Sequence, residues 1–226
     1  VNEINGIWIQ ICDYFANDWA NYLICFGEHL AISCSSLAVA ALIGIPFGYI
    51  CVMNKKWEKG VVGIFQILRV IPSLAVLILL IPLMGTGVKP AMTALVLLAI
   101  PPILMNTAAG FSEVPAFMLE TAQGLGMTGR QMFWKVKVPQ AIPMILAGVK
   151  TAMMEIIASA AIAAKIGAGG LGGIILTGLG LNRTDLLLIG GISVAVLAGS
   201  VGIIFNRLDR HIFKYKYIEK RRGKRR

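Results

Sequence analysis

The sequence predicts an all-α integral membrane protein, with five transmembrane helices, an N-terminal interfacial helix and a helical loop on the cytoplasmic side. Three observations predict it. The 226 residues are 57% hydrophobic and only 14% charged, against about 25% charged in an ordinary soluble domain. Five stretches are apolar over about 20 residues, the length a helix needs to cross a bilayer core. The basic residues, finally, are segregated rather than scattered: residues 1–30 contain no Lys or Arg, whereas Arg207–Arg226 hold ten of the 21. Mean hydropathy is +0.78.

Residues 1–28 read as an outer interfacial segment. Trp8, Cys12, Phe15, Trp19, Tyr22 and Phe26 recur at steps of four and three, which is one stripe of a helix. Asp13, Asn17, Asp18, Asn21 and Glu28 interrupt it on other faces. Such a helix lies at headgroup level with its Trp and Tyr at the interface. No basic n-region precedes an apolar core in these residues, so no cleavable signal peptide is expected. Cys12, Cys25, Cys34 and Cys51 lack C-x-x-C spacing; Cys34 and Cys51 read as small membrane hydrophobes, and a pairing of Cys12 with Cys25 outside the cell is the less favoured alternative to free thiols.

The five spans are 30–53, 61–83, 91–111, 141–165 and 185–206. One side of the membrane receives Lys55, Lys56, Lys59, Arg130, Lys135, Lys137 and the ten basic tail residues; the other receives Lys89, Lys165 and Arg183. Sixteen against three places the N-terminus outside and the C-terminus in the cytoplasm. The tail, 207–226, is then a topogenic, lipid-facing segment; no nucleic acid is expected. Pro72 and Pro82 interrupt the second span and Pro101-Pro102 the third, each removing a backbone donor. Irregular backbone at membrane depth suits a pathway, although proline is also commoner in membrane helices generally.

The loop between the third and fourth spans, 113–139, is long and patterned. Ser112-Glu113-Val114-Pro115 is a helix start. Gly124 and Gly126 stop that helix. Thr128 and Gln131 have capping-box spacing, so a second short helix begins there and ends before Pro139. Phe117, Met118, Phe133 and Trp134 give this small element an apolar surface with no core of its own, which calls for something to dock against.

Here the sequence resembles a family. Glu120-Thr121-Ala122, three residues, Gly126, nine residues, then Val136-Lys137-Val138-Pro139 is similar to the cytoplasmic signature of ATP-binding-cassette importer permeases. The departures, Thr121 for Ala and valines for Ile and Leu, are mild. The resemblance covers residues 28–210 and makes 29–206 the permease domain. It implies that this loop is the coupling helix, seated on a separate cytoplasmic ATPase, with Phe117, Met118, Glu120, Thr121, Ala122, Gly126, Val136, Val138 and Pro139 as coupling residues. It further implies an extracytoplasmic substrate-binding protein and a second permease copy, as a homodimer in a bacterial cytoplasmic membrane. "RVIPSLAVLILLIPLMGTG" (69–87) and "IGAGGLGG" (166–173) resemble the subgroup importing glycine betaine, carnitine and choline. A permease for an amino acid such as methionine, and an ATPase-independent channel or secondary transporter, are the alternatives.

Arg69, Lys150 and Glu155 are charges within spans, and each should face protein or water. Lys150 and Glu155 lie about 140° apart around a helix, so they are poor partners for each other. Lys150 is about 14 Å from its end of the span and can snorkel; Glu155 is deeper. It either lines a path for a cationic or zwitterionic solute or bonds a neighbouring helix. Arg69, Pro72, Ser73, Glu155, Gly167, Gly169 and Gly170 are the candidate pathway and gate residues. Gly167, Gly169 and Gly172 also satisfy G-x-G-x-x-G, but the dinucleotide motif requires a preceding strand; here it follows a membrane helix, as a tight turn or half-helix.

No phosphate-binding loop, catalytic constellation or metal-ligand set is visible. The chain is therefore expected not to be an enzyme and to hold no cofactor or metal; ATP and Mg belong to the partner ATPase. Quaternary ammonium groups are held in aromatic cages. The spans offer only scattered Phe and Tyr49, so high-affinity recognition falls to the binding protein.

Overall fold

The computed structural model describes residues 2–53 and 55–212; Val1, Asn54 and residues 213–226, most of the basic tail, lie outside the described residues. Every regular element among the described residues is helical. In order they are α1 (Asn2–Asn17), α2 (Trp19–Met53), α3 (Lys55–Leu68), α4 (Ser73–Met84), α5 (Val88–Ser112), α6 (Ala116–Gly124), α7 (Gly129–Met132), α8 (Val138–Ala163), α9 (Leu171–Gly180) and α10 (Thr184–Ile212). A π turn (Phe133–Lys137) joins α7 to α8, and a 3₁₀ turn (Ala164–Ile166) ends α8.

Among the described residues four helices are long and apolar enough to cross a membrane: α2, α5, α10 and the run Gly129–Ile166. The predicted second span differs. It is a pair, Gly60–Leu68 and Ser73–Met84, bent by 90° at a short break. Pro72 supplies the cause, because it cannot donate to the ladder and it holds Ile71 out of helical geometry. Pro82 and Pro101-Pro102, by contrast, sit inside unbroken helices. The third span is therefore not interrupted: buried on both flanks, α5 keeps its course, and Asn106 Nδ2 donates to the Pro102 carbonyl at 2.8 Å.

The N-terminal stripe also divides differently. The chain bends at Asp18, and α2 starts at Trp19, so residues 19–28 extend the first long helix rather than ending the interfacial segment. Phe15, Trp19, Tyr22 and Phe26 form an aromatic ladder across that bend, with successive centroids 5.6–6.4 Å apart and Phe15 also 5.2 Å from Tyr22. Ladder contacts hold α1 against α2 despite the break. Cys12 and Cys25 form no disulfide.

α5 is the central helix: 61% of its apolar window is buried within the chain, against 22–39% for the other three. Between α2, α5 and α8 the packing is set by small residues. Ser33, Ser36, Ala40, Gly44, Gly48 and Cys51 form one buried stripe of α2, spaced by threes and fours so that they share a face. A Cβ on Gly48 would stand 2.7 Å from the Leu104 carbonyl and from Thr107 Cβ. One on Gly148 would stand 2.7 Å from Asn106 Cβ, and one on Gly110 2.9 Å from the Ala141 carbonyl. Without a hydrophobic drive inside lipid, close backbone approach is what associates such helices. Leu42, Phe47, Leu79, Leu83 and Val196 point outward, as hydrocarbon-facing positions do.

Gly48→Val is expected to cost about 1–3 kcal/mol through overpacking, read as a lower midpoint of thermal unfolding in detergent. Gly199→Ala, with nothing within 4 Å of its Cβ, should leave that midpoint unchanged.

Candidate functional site

Two features stand out: a groove on α6 and a cleft at the break between α3 and α4. Pro115 sits extended before α6, and Thr128 caps α7. The capping box forms as its spacing predicts: Gln131 N donates to Thr128 Oγ1 at 3.3 Å, and Thr128 N to Gln131 Oε1 at 2.9 Å. Gly126 ends α6 with φ +72°. Gly126 N donates to the Gln123 carbonyl (2.9 Å) and Met127 N to the Ala122 carbonyl (3.1 Å). That bond pair is the left-handed helix closure that favours glycine. Nothing lies within 4 Å of a Cβ there, so backbone conformation, not space, demands this residue.

The second short helix does not end before Pro139. In the π turn the Val138 N–H donates to the Phe133 carbonyl, one residue further back than in an α-helix. The wider turn places Pro139 at the start of a new α-helical ladder, where its missing N–H costs nothing. α7, the π turn and α8 thus form one continuous helix of 38 residues, Gly129–Ile166.

Phe117, Met118, Thr121, Ala122 and Val136 meet, with Leu125 and Met127, around an apolar groove of about 290 Å³. Phe117 is 63% exposed and Ala122 3%, so the phenyl ring stands at the rim and the alanine forms the floor. Glu120 is exposed, and Val138 and Pro139 lie beyond the π turn, outside the groove. Phe133 is not part of the outer surface as its sequence context suggests. It stacks on Phe111 (6.0 Å, 7°) and lies 4.9 Å from Tyr49, so it clamps the element to α5 and α2. Trp134 remains exposed.

The cleft, about 310 Å³, is lined by Arg69, Pro72 and Ser73 from the break, Pro101 from α5, and Glu155 and Ser159 from α8. Arg69 Nη2 donates to Glu155 Oε1 at 2.8 Å, and the side chains are 39% and 38% exposed. This pairing, between residues 86 apart in the chain, has no sequence signal. Lys150 turns to α10 instead, donating to Asn206 Oδ1 at 2.7 Å.

Gly167, Gly169 and Gly170 do not join the cleft. All three have positive φ and form the turn before α9, the half-helix. Gly170 N donates to Glu28 Oε2 at 2.9 Å, and Gly87 N to the Ile166 carbonyl at 2.6 Å. His29, fully buried, bonds the Ile157 carbonyl through Nε2 at 3.1 Å. The turn is therefore stitched to α2, α8 and the start of α5. No group of metal-binding side chains occurs among the described residues.

Residues 42–214 match the family described as binding-protein-dependent transport system inner membrane component. The chain belongs to that family. It is 36% identical over 213 residues to the carnitine transport permease protein OpuCB of Listeria monocytogenes, covering 94% of this chain and 98% of the relative. It is 37% identical to the choline transport system permease protein OpuBB of Bacillus subtilis, covering 82% and 85%. Among solved structures it resembles the MetNI methionine ABC transporter in inward-facing form, with a TM-score of 0.72 at 25% identity over 82% of this chain and 93% of that one. The α6–α7 element and the cleft are thus features of a multi-pass ABC permease.

Gly126→Val forces a β-branched residue into left-handed backbone, at about 1–2 kcal/mol. The amides of Gly126 and Met127 should exchange hydrogen about 5–30-fold faster, while Gly129→Ala, inside a helix with open space at its Cβ, should not raise them.

Proposed function

We propose that this chain is the membrane subunit of an ATP-driven importer for quaternary-ammonium osmoprotectants: glycine betaine, carnitine and choline. The observation that carries the reading is the α6 groove, assembled by the same residues that form the coupling signature, in a chain that aligns over most of its length with osmoprotectant permeases. Relatives named for carnitine, for choline and for all three solutes share 34–37% identity with it.

In this reading the N-terminus is outside and the C-terminus in the cytoplasm. A cytoplasmic ATPase inserts into the groove beside Phe117; ATP and Mg reside there, and the permease itself catalyses nothing. A binding protein delivers solute to the opposite face, and two copies of the chain enclose the path. ATP-driven closure of the two ATPases draws the α6–α7 elements together. The continuous helix beyond each element turns that movement into a rocking of α8. Physical support comes from the groove itself: an apolar concavity with an exposed aromatic rim is how hot-spot docking surfaces are built.

Phe117→Ala is expected to weaken ATPase capture by co-purification about 5–30-fold, and Ala122→Trp, which fills the groove floor, to abolish it. ATPase capture unchanged by both substitutions places the docking site elsewhere. With the wild-type complex, ATP hydrolysis should rise on adding a betaine-loaded binding protein and not a methionine-loaded one. The opposite preference moves the assignment to an amino-acid importer.

A further inference from the structure

We infer that Arg69 and Glu155 are a displaceable ion pair that forms a transit site for zwitterionic solute, with Arg69 taking the solute's carboxylate and Glu155 its ammonium. This rests on the osmoprotectant reading and deepens it. The depth of the pair is the first argument. Along α8, Glu155 lies about 17 Å from Ile166 and about 24 Å from Pro139, which is well inside a bilayer core of about 30 Å. Charges there face protein or water, not lipid. Both are more than a third exposed in the single chain, and both open onto the cleft.

The second argument is the cleft. At about 310 Å³ it is at the small end of ligand pockets, which run from about 300 Å³ upward. Its walls suit a solute with separated charges. Arg69 presents a forked donor. Pro101 and Pro102 have no N–H to give the carbonyls of Leu97 and Leu98, and both leucines line the cleft. The Glu155 carboxylate makes one wall electronegative. Ser73 and Ser159 add hydroxyls. Among the described residues no aromatic side chain lines the cleft, so it grips an ammonium group weakly, as suits a point of passage that must let solute leave.

The third argument is charge conservation. Empty, the site is neutral because Arg69 and Glu155 neutralise each other. Occupied by a zwitterion it is neutral again, each protein charge having exchanged its partner. A partly exposed pair is held by little net free energy, so solute can open it. A purely cationic solute satisfies Glu155 but leaves Arg69 uncompensated, so wild-type transport should favour the zwitterion.

The test is uptake into proteoliposomes holding the complete complex, with glycine betaine as zwitterion and choline as cation. Arg69→Met is expected to lower betaine uptake about 10–100-fold while choline uptake stays within about fivefold of wild type or rises. Glu155→Gln is expected to lower both about 10–100-fold. The choline signal of Arg69→Met serves as the folding control. Arg69→Met lowering both solutes alike, or the neutral double variant R69M/E155Q restoring betaine uptake, makes the pair a structural brace and overturns the inference while leaving the osmoprotectant reading intact. A wild-type complex that imports neither solute overturns both.

Discussion

One continuous helix, Gly129–Ile166, is the constraint on which the rest depends. It carries Val136 of the groove at one end and Glu155 of the cleft further along, 19 positions or about 28 Å of helix rise apart. A flexible joint at Pro139 would uncouple the two. The π turn prevents it by moving the proline to a position where no N–H is needed, so the helix passes without a break. Phe133 is in that same turn, and its contacts with Tyr49 and Phe111 register the rod against α2 and α5. The π turn at this junction is thus a structural accommodation that keeps the rod continuous.

Small residues decide what such a rod can move against. Gly44, Gly48, Gly110 and Gly148 let α2, α5 and α8 approach until backbone meets backbone. Helices packed so closely pivot or slide as units but do not bend individually. The stitched turn at Gly167–Gly170, tied to Glu28 and His29, adds a second fixed point near the end of α8. Compliance is left to the break at Arg69–Pro72, where the chain bends by 90° between α3 and α4. The cleft therefore sits beside this break, and breaks between helices are where hinge motions are accommodated.

Features written in local residue patterns were legible in the sequence. The capping box at Thr128–Gln131, the left-handed glycine at Gly126, the apolar lengths of α2, α5, α8 and α10, and the half-helix after Gly170 all follow from spacing or composition within a few residues. The residues that carry the family resemblance were legible as a motif, and five of those expected to couple share one groove. Features decided by tertiary context were not. Pro101-Pro102 do not interrupt α5, because burial on both sides outweighs the lost donors. The second span is bent far more sharply than a proline alone announces. Glu155 finds Arg69 across 86 residues, and neither residue's neighbours hint at the other. The small-residue stripe of α2 was available in principle: Ala40, Gly44 and Gly48 repeat every four residues, but an apolar helix with small residues on one face looks the same as any other span until its partner is known.

The central claim is that groove and cleft ride on one rigid helix, so that whatever displaces the first displaces the second. The direct measurement is a spin-label distance between Gln131 and Ala158, both exposed, in a cysteine-free background of the assembled complex with and without bound ATP. The account predicts a narrow within-chain distance near 40 Å, unchanged between the two states, the between-chain distances being identified from singly labelled complexes. A shift of one helical turn, about 5 Å, or a second population on ATP binding would mean that the helix breaks at the π turn and that the cleft moves independently of the groove.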